Sequence, residues 1–222
     1  MTDIRKFIRR IVSLTILASL LSACATTDFS GFGGQNEQRA RAMAASGRHE
    51  DAAGAYIGLA TDVGGVERDR LTLLAIEQWL FAGDGRRARN ALRSLPTPAG
   101  GELLWLWNVD AAALSLWEGK PDEALSLLEP LSRQALSGDY RTRVEALRAD
   151  AWFQKDDPLR AVNLYMQRET WLDDLRAVDA NRQRLWAGLA IANVQDLRDA
   201  ASVSFDPVAR GWLTLAALAN ST

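Results

Sequence analysis

An all-α fold built as a row of helix pairs is what this sequence predicts, and three observations carry the prediction. A six-residue turn, in which a small or turn-forming residue is followed five positions later by alanine, occurs four times: Gly47 to Ala52, Gly83 to Ala88, Gly119 to Ala124 and, with aspartate in place of glycine, Asp156 to Ala161. Its alanines advance by 36, 36 and 37 residues, a fixed period of the size that marks a repeat array. Other positions keep phase with it. Nine residues after the turn residue stand Tyr56, Leu92, Leu128 and Tyr165, and seven before it stand Ala40, Ile76, Ala112 and Ala149.

Each turn is expected to join two helices. Glycine suits the left-handed residue that ends the first helix, and the alanine falls where the second helix passes close to the first. A small residue, a twelve-residue gap, alanine, then a large apolar residue four later resembles the tetratricopeptide repeat, a helix-turn-helix unit that stacks into a superhelix. Two features depart from that pattern. The period is longer than usual by two or three residues, and the first-helix aromatic is present only as Trp79 and Trp152, with Met43 and Ser115 in the other two repeats. The expected architecture is an all-α, tetratricopeptide-like solenoid of about four degenerate repeats plus a C-terminal helix pair.

Composition agrees with a packed domain. The chain has 222 residues, 48% apolar and 24% charged, which is far from the make-up of a disordered segment. A net charge of −2 gives no footprint for nucleic acid. One cysteine and one histidine exclude an internal disulfide and any metal site made of several Cys or His ligands, and no cofactor is implied.

In chain order, residues 1–23 read as an export signal. Arg5, Lys6, Arg9 and Arg10 form a basic start, and Ile11 to Leu21 is an apolar run too short to span a bilayer. It ends in Leu21-Ser22-Ala23-Cys24, which resembles the bacterial lipobox. The resemblance implies that Cys24 is acylated and becomes the mature N-terminus, and several acyl chains on one residue hold a protein stably on a membrane. Ala25, rather than aspartate, follows the cysteine, and by the same resemblance this implies the outer membrane. Loss of the signal takes the net charge to −5. Residues 24–35, rich in Gly, Ser and Thr, have linker composition, and a helical repeat domain is expected over 36–222.

The first repeat runs from about Asn36 to Thr61, with His49 read as a solvated turn residue. The second carries Leu71, Leu74, Trp79 and Leu80 on one apolar face; its partner helix turns Ala88, Ala91, Leu92 and Leu95 inward and Arg86, Arg89 and Arg93 outward before Pro96 and Pro98 stop it. The third opens with Leu103-Leu104-Trp105-Leu106-Trp107, an all-round apolar run expected to be buried on all sides. Lys120-Pro121 starts its second helix. The fourth spans roughly Arg141 to Glu169 around Trp152, Phe153, Leu164 and Tyr165. Asp157-Pro158 supplies a cap and a first-turn proline, which is offered as the reason aspartate can stand in the glycine position. Beyond Trp171 two helices are expected, Asp179 to Asn193 and one capped by Asp206-Pro207. Leu213, Leu215 and Leu218 on that last helix would need a covering element.

Asp206 to Leu215, centred on Gly211-Trp212-Leu213 and preceded by Asn181-Arg182-Gln183-Arg184-Leu185-Trp186, resembles the end of the N-terminal helical domain of LppC-type lipoproteins, activators of penicillin-binding proteins. The resemblance implies an outer-membrane lipoprotein, facing the periplasm, that stimulates a class A penicillin-binding protein in peptidoglycan synthesis, with the wall itself as a further contact. Such proteins continue into a two-lobed domain resembling solute-binding proteins; ending at Thr222, this sequence is expected to lack it.

The favoured function is therefore a non-enzymatic regulator, with a general tetratricopeptide adaptor lipoprotein serving outer-membrane assembly, pilus assembly or wall hydrolases as the alternative. An enzyme is not expected. The paired acids Asp156-Asp157 and Asp173-Asp174 are the sole candidates, and neighbouring helical residues point about 100° apart. If the solenoid binds a partner segment, first helices should line its concave side; the groove positions eleven residues before each turn alanine are Arg41, Glu77, Ala113 and Asp150.

Overall fold

The computed structural model describes residues 31–134, 136 and 138–221. Over these residues the chain forms eleven α-helices. They are α1 (Gly31–Ala45), α2 (His49–Thr61), α3 (Gly65–Phe81), α4 (Gly85–Ser94), α5 (Gly101–Trp117), α6 (Pro121–Ser132), α7 (Gly138–Gln154), α8 (Pro158–Glu169), α9 (Leu175–Ile191), α10 (Val194–Val203) and α11 (Pro207–Ala219). The four expected turns join α1 to α2, α3 to α4, α5 to α6 and α7 to α8.

Each turn is built the same way. Gly47, Gly83 and Gly119 have φ of 78°, 80° and 72°, a region where a Cβ would crowd the next carbonyl. The helix end is then tied off by two hydrogen bonds. Gly83 N–H donates to the Leu80 carbonyl at 3.1 Å, and Asp84 N–H donates to the Trp79 carbonyl at 2.8 Å, so two carbonyls left without helical donors are satisfied. The fourth turn has the same pair of bonds, Asp156 N–H to the Phe153 carbonyl and Asp157 N–H to the Trp152 carbonyl, and Asp156 has a φ of 56°. The cap and proline that follow therefore do not relieve the aspartate of the left-handed backbone. Asp157 caps α8 by accepting from Arg160 N–H at 3.1 Å, while Asp156 bears the strain itself.

The in-phase positions are the core. Ala52, Ala88, Ala124 and Ala161 are wholly buried, as are Ala40, Ile76, Ala112 and Ala149, and Tyr56, Leu92, Leu128 and Tyr165 are buried beside them. No single core results. Each helix pair closes a local cluster against the first helix of the next pair: Ala53 and Tyr56 with Leu71, then Ile76 and Ala88 with Leu106, then Val109 and Leu128 with Val144, then Val162 and Tyr165 with Leu185. This is the row of nearest-neighbour interfaces that defines a solenoid.

Several expectations change. Helix α1 begins at Gly31, so residues 31–35, which have linker composition, are helical. His49 is the first residue of α2 and half-buried; its Nδ1 lies 2.9 Å from Gln78 Oε1 and its ring packs 5.2 Å from Phe81, so it joins two repeats instead of facing solvent. The Leu103 to Trp107 run is screened from solvent, but only Leu106 is fully buried. Three helices, not a pair, follow Trp171. Asn193, expected to end a helix, instead caps a new one by accepting from the N–H groups of Gln195 and Asp196. Helix α10 folds back on α11 as an antiparallel pair.

Candidate functional site

The concave face is formed by the first helices α3, α5, α7 and α9, and it carries a cavity of about 260 Å³ that opens into a second hollow of about 540 Å³. Three of the four expected groove positions line it. Glu77 and Asp150 hold its two sides, and Ala113 lies between them. Arg41 does not. It sits at the far end of the array, 67% exposed and paired at 2.6 Å with Glu37, which is itself held by Arg70 at 2.7 Å.

What the groove positions do is bind one repeat to another. Arg143 on α7 reaches Glu77 on α3 at 2.8 Å, crossing the helix that separates them. Arg184 on α9 reaches both Asp150 oxygens on α7 at 2.7 Å, and Tyr165 Oη donates to Asp150 at 2.5 Å. Burial, then the Asp150 charge, pushes the Tyr165 hydroxyl well above the ordinary phenol range. Arg168 on α8 is held by neutral acceptors. Its Nε donates to the Thr142 carbonyl at 2.8 Å and its Nη1 donates to Asn181 Oδ1 at 2.9 Å. Asn181 is wholly buried and anchors itself by donating from Nδ2 to the Tyr165 carbonyl at 2.8 Å.

At the floor lies Asp110, 1% exposed. Among the described residues neither of its carboxylate oxygens has a hydrogen-bond partner, and Arg143 lies within ion-pair distance of it at 3.5 Å. Burial raises its pKa well above the usual carboxylate range; Arg143 opposes the rise and Glu77 adds to it. The protonated form is thereby favoured.

The second hollow is mainly apolar, with Gln154 and the paired Asp150 and Arg184 on its wall. Leu116, Leu147 and Phe153 form its base, and the half-exposed Phe81 and Trp117 stand at its rim. Phe81 and Trp117 are each the last residue of a first helix, two before the turn glycine. Trp117 also lies so close over Gly85 that a Cβ there would come within 2.2 Å of the indole.

Sequence reasoning finds Glu77, Ala113 and Asp150 but not Asp110, Arg143, Arg168 or Arg184. One signal is present: Asp110 is the sole charge past the first turn of an otherwise apolar helix. A second is the recurrence of an aromatic two residues before Gly83 and Gly119. The arginines give none, because a charged residue on a repeat helix ordinarily marks a solvated face.

The other sequence candidates fall elsewhere. Asp157 and Asp174 accept from Arg160 N–H and Ala177 N–H as helix caps, and Asp156 is the left-handed turn residue. Arg89 bridges to Glu118 at 2.6 Å and lies over Trp117, whereas Arg86 and Arg93 face solvent. Leu213 is buried, and Trp212 packs on Trp186 with ring centroids 4.9 Å apart and the ring planes tilted by 60°. Gly211 is exposed, and a Cβ on it would meet open space. Leu215 and Leu218 are exposed. Cys24 lies outside the described residues. Among the described residues no cluster of three or more His, Cys, Asp or Glu is placed to hold a metal ion, and no helix is long and apolar enough to cross a membrane.

The described residues thus form a helical solenoid whose concave face carries a groove of charged and apolar side chains. No family model matches the chain. Over 221 residues, 99% of the chain, it is 24% identical to the penicillin-binding protein activator LpoA of Photobacterium profundum, of which it spans about a third, 35%. Solved structures give the same likeness. Full-length LpoA of Haemophilus influenzae superposes over 77% of this chain and 31% of its own, with a TM-score of 0.68 at 20% identity. The isolated N-terminal domain of that protein gives 0.67 at 21% identity over 76% of this chain and 77% of its own. The amino-terminal domain of Escherichia coli LpoA gives 0.61 at 18% identity over 74% and 73%. The chain is thus similar to LpoA along its length, and its described residues have the fold of the LpoA N-terminal domain. The curated relative is, by name, an activator of a penicillin-binding protein.

Proposed function

We propose that this chain is the helical arm of a lipid-anchored activator of peptidoglycan synthesis, acting on a class A penicillin-binding protein from the periplasmic face of the outer membrane. The observation that carries the reading is the sequence match along nearly the whole chain to a protein named as a penicillin-binding protein activator. Residues 1–23 serve as the export signal and Cys24 as the acylated anchor. The segment from Cys24 to Ser30 is the tether, and the repeats begin at Gly31. A regulator of this kind needs no reacting groups. It works by binding, and a stack of nearest-neighbour interfaces presents an extended surface at a distance from its anchor.

Affinity purification of the tagged chain from cells, with partners identified by mass spectrometry, tests the reading. Recovery of a class A penicillin-binding protein is the expected result. Recovery of outer-membrane assembly factors, pilus proteins or wall hydrolases without a synthase would move the chain to the general adaptor class. Anchoring is checked separately: labelled palmitate should enter the wild-type chain and not Cys24→Ser.

A further inference from the structure

The groove contains six charged side chains, and their pairing is uneven. Arg143 is matched by Glu77, and Arg184 by Asp150. Asp110, buried at the floor, lies within ion-pair distance of Arg143. Arg168 is left over: among the described residues no carboxylate lies within ion-pair distance of it. Both of its protein hydrogen bonds go to neutral oxygens, and among the described residues its Nη2 group donates to no protein acceptor. The guanidinium is nonetheless fixed in place, because Asn181 is locked from behind by the Tyr165 carbonyl. Arg168 and Asp110 line the same cavity. A fixed cation with no carboxylate of its own thus faces the cavity, and a carboxylate from a bound segment would meet it. It would accept from the guanidinium.

The adjoining hollow adds a second requirement. Its base of Leu116, Leu147 and Phe153 and its rim of Phe81 and Trp117 favour a bulky apolar side chain. We propose that the concave face holds a peptide segment of a protein partner in which an aspartate or glutamate, seated on Arg168, lies beside a large apolar residue seated between Phe81, Leu147 and Trp117. The proposal goes beyond the reading above: it specifies the chemistry of the bound segment, and it holds or fails whether or not a synthase supplies that segment.

The test is selection of a random peptide library on the full chain as exported and purified, followed by fluorescence anisotropy on the enriched peptides. Enriched sequences should pair an acid with a Leu, Phe or Trp within a residue or two. Replacing that acid by its amide should weaken binding about tenfold or more, and added salt should weaken it too. Arg168→Gln should cause a comparable loss with the acidic peptide and little with the amide peptide. Arg168 also ties α8 to Thr142 and Asn181, so a second variant guards against misfolding. Ala180→Glu, an exposed cavity-wall change on α9, should abolish binding with an unaltered melting temperature. Enrichment of basic peptides, failure to enrich any, or binding indifferent to Arg168 would overturn the proposal. Purified muropeptides binding at Arg168 in place of every peptide would overturn it in favour of the wall as ligand.

Discussion

Arg143 and Glu77, 66 positions apart in sequence, meet at 2.8 Å across the concave face and join the second repeat to the fourth over the helix between them. The same guanidinium lies within ion-pair distance of buried Asp110. Removing it leaves two screened acids without their shared partner, the costly way to break an ion pair. Arg143→Ala should lose about 3 kcal/mol of stability in urea unfolding, and the loss should shrink in an Asp110→Asn background. Equal losses in both backgrounds would show that Asp110 is not part of the network.

Asp110 makes its own prediction for pH. Its folded-state pKa is raised by burial, so from about pH 4, where the unfolded carboxyl titrates, up to the folded value the folded chain binds the extra proton. Stability then falls as pH rises through that window. Asp110→Asn cannot lose a proton and removes this slope. Melting temperatures of the two proteins should be close at about pH 4, and the variant should be the more stable at about pH 7; parallel curves would contradict the assignment.

The turns allow a paired test. Gly119 has φ of 72° and nothing near its missing Cβ, so Gly119→Ala costs backbone strain alone, about 1 kcal/mol. Asp156 carries the same strain in the native chain, and Asp156→Gly should therefore stabilise by about 0.5–1 kcal/mol. Opposite signs of the two melting-temperature changes are expected.

The segment that carries the family likeness divides under mutation. Trp212 packs on Trp186 and against the last core cluster, so Trp212→Ala should cost about 2–3 kcal/mol. Gly211 is helical, exposed and unobstructed, and Gly211→Ala should gain about 0.5–1 kcal/mol. A loss at Gly211 would point to a contact outside this chain.

These residues also show what a sequence discloses. Gly47, Gly83 and Gly119 are legible because the backbone at those points tolerates few alternatives, and Ala52, Ala88, Ala124 and Ala161 because close helix contact leaves no room for more. Such demands recur with the repeat and so appear as a period. The link from Arg143 to Glu77 has no such signature. It depends on superhelical curvature, which brings α7 towards α3 and which no local pattern states. Glu77, Ala113 and Asp150 can be found because the repeat assigns them a face; Arg168 cannot, because it comes from a second helix. The break after Ile191 escapes notice for a different reason. Ala192-Asn193 is a two-residue connection without glycine or proline, and Asn193 ends one apolar run while capping the next helix.

Direct binding between the purified chain and a purified class A penicillin-binding protein of the same bacterium tests the central claim. Biolayer interferometry should give saturable binding to the immobilised chain that an excess of free chain abolishes. A flat response with that synthase, from chain whose helical content and melting are intact, would contradict the assignment to cell-wall synthesis.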